Sequence, residues 1–215
     1  MKVTKELLKK MGACPKAIEC YIEHKEPRTL KKVFKLLMSN ENDYLWRTEN
    51  RLSWANWFVC KLFNKEQCVK YAIFSAEKVL NLFEQRHPND QRPRKAIEAS
   101  KKYLKVMFDD INSDNYIQSC RELALAANVA AYTAETATID NLDADAVNAA
   151  VYTAYTAYSD DAKTYFSAAY AAANKAAVAY SNVNSYGNHY MHTEIKNEIT
   201  IEILNYGLIL LEIKL

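Results

Sequence analysis

Along most of the chain, apolar residues return every three or four positions, the spacing that gathers them on one face of a helix. Thr4 to Met11 reads as a short amphipathic helix ending at Gly12. Pro15 stands where a second helix begins, and that helix runs to about His24, short of Pro27. Thr29 can cap a third helix, Leu30 to Met38, and Asn40 or Asn42 a fourth that reaches about Phe63. Besides Trp46, the fourth carries Trp54, Trp57 and Phe58 on one face, with Asn50 one turn earlier, which reads as core before it reads as a ligand platform. Asn64 and Gln67 have the spacing of a capping box and open a long helix to about Arg86, striped by Val69, Ile73, Ala76, Leu80 and Phe83.

Pro88 disfavours helical geometry at His87 and ends that helix. Asn89, Asp90 and Gln91 make a short turn, and Pro93 can start the next helix, with Asp90 or Arg92 near the cap. Ala96, Ile97, Ala99 and Tyr103 supply its packing face, and Arg94 faces Glu98 across one turn. Further on the pattern predicts helices from Ser113 to about Thr138, Ala144 to Ser159, Asp161 to Ser181, and Asn188 to Glu212. Residues 124–179 hold 22 alanines interleaved with tyrosines. Alanine lets helices approach closely, and tyrosine fills the gaps that remain. Ile199 to Leu204 alternates like a strand, but a lone strand there has no partner, so the helix is preferred.

The expected fold is therefore all-α: a multi-helix bundle or an irregular helical-repeat array of about nine or ten helices. Composition narrows this further. Three glycines in 215 residues are too few for turn-rich β architectures. Charge divides the chain: residues 1–110 carry 23 Lys/Arg against 14 Asp/Glu, and residues 111–215 carry 5 against 12. Two parts are expected, 1–110 basic and tryptophan-bearing, 111–215 acidic and rich in Ala and Tyr, packed as one unit with complementary charge. Head-to-tail pairing of copies, a homo-oligomer, satisfies the same asymmetry. The five cysteines are odd in number and lack a CxxC pair, which reads as small buried hydrophobes in a reducing compartment. The opening residues carry no apolar leader core, and Glu202, Asn205 and Glu212 interrupt the apolar tail, so a soluble cytoplasmic protein without a membrane span is expected.

Candidate chemistry centres on the turn. Arg86, Arg92, Arg94 and Lys95 can gather at a helix N-terminus, where guanidinium forks and free N–H groups suit a phosphate or carboxylate. The structural reading of the same residues has Asp90 as cap, Arg94 paired with Glu98, and Arg92 tying the turn to the preceding helix. Arg86, Asp90, Arg92, Arg94, Lys95 and Glu98 are thus the candidate ligand- or partner-binding residues. His189 and His192 are close enough to share a metal, with Glu194 nearby, but no further Cys or paired acid completes a set, so no metal site is expected. No phosphate-loop or dinucleotide pattern occurs, and neither a catalytic residue nor a cofactor is expected.

The stretch Tyr71 to Tyr103 resembles a family of all-helical immunity proteins of bacteria and their phages. The likeness rests on Ala76, Glu77, Val79 and Leu80, on Phe83 and Glu84, and on the Asp-x-Arg-Pro-Arg element with its neighbours: Pro88, Asp90, Arg92, Pro93, Arg94, Ala96, Ile97, Glu98 and Ala99. Trp54 to Trp57 and the opening Leu7 to Cys14 are similar to phage-borne members. The resemblance implies a non-catalytic binding protein that occludes a protein partner, a toxin or a host defence component. The alternative is a protein that sequesters a nucleotide-type signal, with tyrosines stacking the base and Arg86, Arg92 and Arg94 holding phosphates. Nucleic acid ranks behind both, because the acidic half repels it.

Overall fold

The computed structural model describes residues 1–23, 28–39, 48–108, 118, 122, 125, 141–185 and 189–214. Among the described residues lie nine helices: α1 (Lys5–Met11), α2 (Pro15–Glu23), α3 (Leu30–Met38), α4 (Thr48–Leu62), α5 (Lys65–Arg86), α6 (Arg92–Phe108), α7 (Asn141–Tyr158), α8 (Ala162–Asn184) and α9 (His189–Leu210). The all-α expectation holds. The expected helix from Ser113 to Thr138, the start of the fourth helix with Trp46, and the Asn50 side chain lie outside the described residues. Ile199 to Leu204 is helical, with Ile199, Ile203 and Leu204 buried on one side. One pairing was not foreseen. β1 (Lys2–Val3) and β2 (Arg28–Thr29) join antiparallel, Lys2 opposite Thr29. Two residues per strand leave no alternation to read. Val3 is fully buried, and its carbonyl accepts the Tyr21 hydroxyl at 2.5 Å.

The caps explain the boundaries. Thr4 Oγ1 accepts the Leu7 N–H at 3.2 Å, and Gly12 ends α1 at φ 82°. Asn64 and Gln67 exchange both bonds of a capping box at 2.8 and 2.9 Å. Asp161 Oδ2 accepts the Thr164 N–H at 2.8 Å at the start of α8. Each such cap is worth about 1 kcal/mol to its helix.

Helix α8 sits at the centre and packs on α7, α5, α9 and α4. Its buried positions Ala168, Ala169, Ala172, Ala173, Ala176 and Ala177 form adjacent columns along the helix. Methyl groups there allow neighbours on more than one side to come close. Where α4, α5 and α8 meet, Asn56 is 1% exposed and fully engaged. Its Oδ1 accepts the Tyr71 hydroxyl at 2.9 Å, and its Nδ2 donates to Asn174 Oδ1 at 3.0 Å and the Tyr170 carbonyl at 3.3 Å. A buried amide without partners costs about 1–3 kcal/mol, so this network fixes how the three helices meet. Lys65 joins a different corner: its ammonium lies 5.4 Å from the Tyr103 ring centre and 5.1 Å from that of Tyr165, and it donates to the Ser159 carbonyl. Among the described residues no helix is long and apolar enough to cross a membrane.

Helix α9 closes on α4 and α5 at Gly207. A Cβ there meets Tyr71 Cε2 at 2.9 Å and Val59 Cγ2 at 3.1 Å. The Tyr71 ring is fully buried, hydrogen-bonded to Asn56 and tilted against Phe63, so it has little room to yield. Gly207→Ala gains up to about 1 kcal/mol of helix propensity but meets about 1–3 kcal/mol of overpacking. Urea unfolding is expected to show a net loss near 1 kcal/mol, in contrast to the gain that Ala brings at an open helical glycine. A stabilised variant would show that the Tyr71 ring gives way.

Candidate functional site at the Arg-Pro-Arg corner

Helix α5 ends at His87, whose N–H still bonds the Phe83 carbonyl at 2.9 Å. The chain then turns: the Asp90 N–H returns to the His87 carbonyl at 3.0 Å, and the Lys95 N–H bonds the Gln91 carbonyl at 2.9 Å as α6 begins. Pro93 is buried in the first turn of α6, one place later than the first-position expectation. It takes a position whose N–H has no partner within the helix.

Each arginine of the corner has an acid, though not always the expected one. Arg92 does not reach back to the preceding helix. It folds onto Asp90, with Nε at 2.9 Å from Oδ1 and Nη2 at 2.6 Å from Oδ2, while its own N–H also donates to Oδ1 at 3.0 Å. The Arg92 fork holds the Asp90 carboxyl below the usual carboxylate range, and Asp90 in turn raises Arg92. Arg94, not Arg92, makes the bond to α5. Its Nε and Nη2 grip Glu84 at 2.6 and 2.5 Å, so the expected Arg94–Glu98 pair is replaced. Glu98 is exposed and adds only a longer-range attraction to Arg94. A bidentate fork across two helices outcompetes a single-helix contact that orders two exposed side chains. One helical stretch further, Lys101 pairs with Glu77 at 2.5 Å, a second rung between α6 and α5.

Arg86 takes an acid from a third helix. It pairs with Asp143 in the first turn of α7, and His87 Nε2 donates to the other oxygen of that carboxylate at 2.7 Å. Asp143 is 4% exposed, and the His87 ring leans on Phe83 at 4.8 Å between centres. The α7 N-terminus adds its own favourable dipole to this buried acid. Asp143 stands one place before the start expected for this helix, Ala144, and is not among the candidate residues. The available signal was its register: Ala146, Val147 and Ala150, three, four and seven places on, are all buried, so Asp143 extends a core-facing stripe. A buried acid requires a partner.

What remains open is a cleft of about 690 Å³ lined by Arg86, His87, Pro88, Asn89, Asp90, Gln91, Arg92 and Lys95. Four of the six candidate residues therefore share it, while Arg94 faces Glu84 and Glu98 stands outside the lining. Lys95, Gln91 and Asn89 are exposed on its rim. The arginines are held, so the corner offers a fixed surface with a cationic rim. Elsewhere, His192 Nε2 is engaged by Ser181 Oγ at 3.0 Å and Asn182 Oδ1 at 2.8 Å. The His189 side chain lies outside the described residues, and no group of metal-ligating residues occurs among those described. Cys60 and Cys68 are buried, and burial pushes both thiols up, which suits packing rather than nucleophilic attack.

The model of the family described as "Imm-5 like putative immunity protein" matches residues 59–185. The chain belongs to that family. No curated protein and no solved structure matches it. The immunity-protein match takes in the whole corner, its Glu84 and Asp143 partners and the alanine helix α8, whereas α1, α2 and α3 lie outside it.

Two measurements check the corner of this immunity-family protein. A double-mutant cycle of Arg86→Ala and Asp143→Ala should return a coupling of about 0.5–3 kcal/mol, the range for contacting partners; additive single effects would mean the pair is idle. Asp90 has a depressed pKa when folded, so its stabilisation is present at neutral pH and lost as pH falls through that lowered value. Parent and Asp90→Asn should therefore differ in melting temperature near pH 7, and the gap should narrow as pH falls below the ordinary Asp value of about 3.9. A gap that widens in acid would refute the pairing.

Proposed function

We propose that the chain is a non-catalytic immunity factor that neutralises a protein partner by covering its working surface. The partner is a toxin or, in a phage setting, a host defence component. The observation that carries this reading is the corner itself, within the family-matched residues. Its arginines are braced by Asp90, Glu84 and Asp143, so it presents a preorganised corner rimmed by Asn89, Gln91 and Lys95. Rigid presentation lowers the ordering cost of association. A cleft near 690 Å³ also suits a small ligand, which favours the nucleotide reading. Against that, the aromatic contacts of Tyr155, Tyr158 and Tyr165 lie with Phe166 and Lys65, and none of these tyrosines lines the cleft. Among the described residues His87 is the one aromatic ring lining the cleft, and it is held by Asp143 and Phe83, so occlusion of a protein is the stronger reading.

Affinity capture of the full chain from the cells that encode it should give a stoichiometric protein partner. With that partner purified, Lys95→Glu should weaken binding about tenfold or more while leaving the melt unchanged, as expected for a charge at an interface rim. Persistently empty captures, or equal affinity for Lys95→Glu, would remove the corner as the docking surface.

A further inference from the structure

The first 38 residues carry ten Lys/Arg against four Asp/Glu, and the structure arranges part of that excess on one face. On α3, Val33, Phe34 and Leu37 are buried, and the exposed positions are Lys31, Lys32 and Lys35. No exposed position of this helix holds an acid. Lys2 is exposed on β1 directly opposite Thr29, the residue that caps α3, which sets its backbone beside the start of that helix. Among the described residues none of these four lysines enters an ion pair. Elsewhere among the described residues Lys70, Lys78, Arg86, Arg92, Arg94, Lys101 and Lys175 each sit against a carboxylate, while Lys95, Lys105, Lys163 and Lys214 do not; what sets the α3 lysines apart is that all three share one face of one short helix.

Position adds an independent argument. Lys31 and Lys32 occupy the first turn of α3, which has no acidic residue. The helix dipole disfavours cations there and favours acids. The chain thus holds two charges where folding gains nothing from them, the kind of local conflict expected at a surface kept for binding. The residue type narrows the ligand. Protein interfaces are depleted in lysine and enriched in arginine and aromatics, and this face is lysine alone. Lysine contacts to phosphate oxygens, made through a flexible stem and blind to sequence, are the standard means of holding a nucleic-acid backbone.

We propose that Lys2, Lys31, Lys32 and Lys35 form a docking face for the phosphate backbone of a nucleic acid, bound without sequence preference. This face lies outside the family-matched residues and is separate from the corner, so it stands or falls apart from the reading above.

The test uses the full chain and a fluorescent duplex of about 20 base pairs, with anisotropy read from about 50 to 200 mM salt. Binding should weaken with salt with a logarithmic slope of about −3 to −4, from roughly 0.9 per lysine contact. The triple variant Lys31→Gln, Lys32→Gln, Lys35→Gln should lose about tenfold or more in affinity, and its slope should become shallower by about 3. It should melt no lower than the parent, because the first-turn lysines oppose the dipole. A charge-matched control, Lys105→Gln, Lys163→Gln, Lys214→Gln, should bind as the parent does. Absence of binding at the lowest salt, or an equal loss in the control, would overturn the proposal. Poly-glutamate bound as tightly as the duplex at the same salt would also overturn it, and would reassign the face to an acidic protein.

Discussion

The close approach of α8 to its neighbours is the constraint on which the remaining architecture depends. Helix pairs sit about 8–10 Å apart according to the side chains between them. Seven buried alanines on α8 present only methyl groups to its neighbours. Because α5 and α7 both pack on α8, the end of one and the start of the other are drawn together. That places Arg86 and His87 against Asp143. The charge cluster at the corner follows from packing; it locks an arrangement that the alanines make available.

The corner also shows why a run of arginines need not be an anion site. Three guanidinium groups meet three acids drawn from the turn, from α5 and from α7. Pairs of this kind add modest net stability where solvent reaches them, but removing one member strands the other. Their main effect is directional. Two bidentate forks leave little freedom to either side chain, and the turn between two prolines inherits that rigidity.

Much of this was legible in the chain. Thr4, Gly12, Thr29, Asn64 and Asp161 act locally, through bonds to residues three or four places away, so they were readable as helix boundaries. The stripe of Val69, Ile73, Ala76, Leu80 and Phe83 was readable for the same reason, since one helix face is a property of spacing alone. The choice between Glu98 and Glu84 for Arg94 was not, because it depends on how α6 lies against α5. Asp143 and Asn56 were hidden more deeply. Each is polar within an apolar register, and its partners come from helices distant in sequence. Spacing can flag such a residue as out of place, but only the tertiary fold names what satisfies it.

The two rungs between α5 and α6 set a measure for the helices they join. Glu84 with Arg94 and Glu77 with Lys101 step back along one helix and forward along the other by the same number of residues. One register therefore serves both rungs. An extra residue within α6, between Arg94 and Lys101, would turn the second rung by about 100° and shift it by about 1.5 Å relative to the first. The rungs would no longer meet α5 together, and Tyr103 would swing out of the core it now fills. The seven-residue step behaves as a ruler written on both helices: side chains between the rungs have room to drift wherever they face solvent, but their number does not.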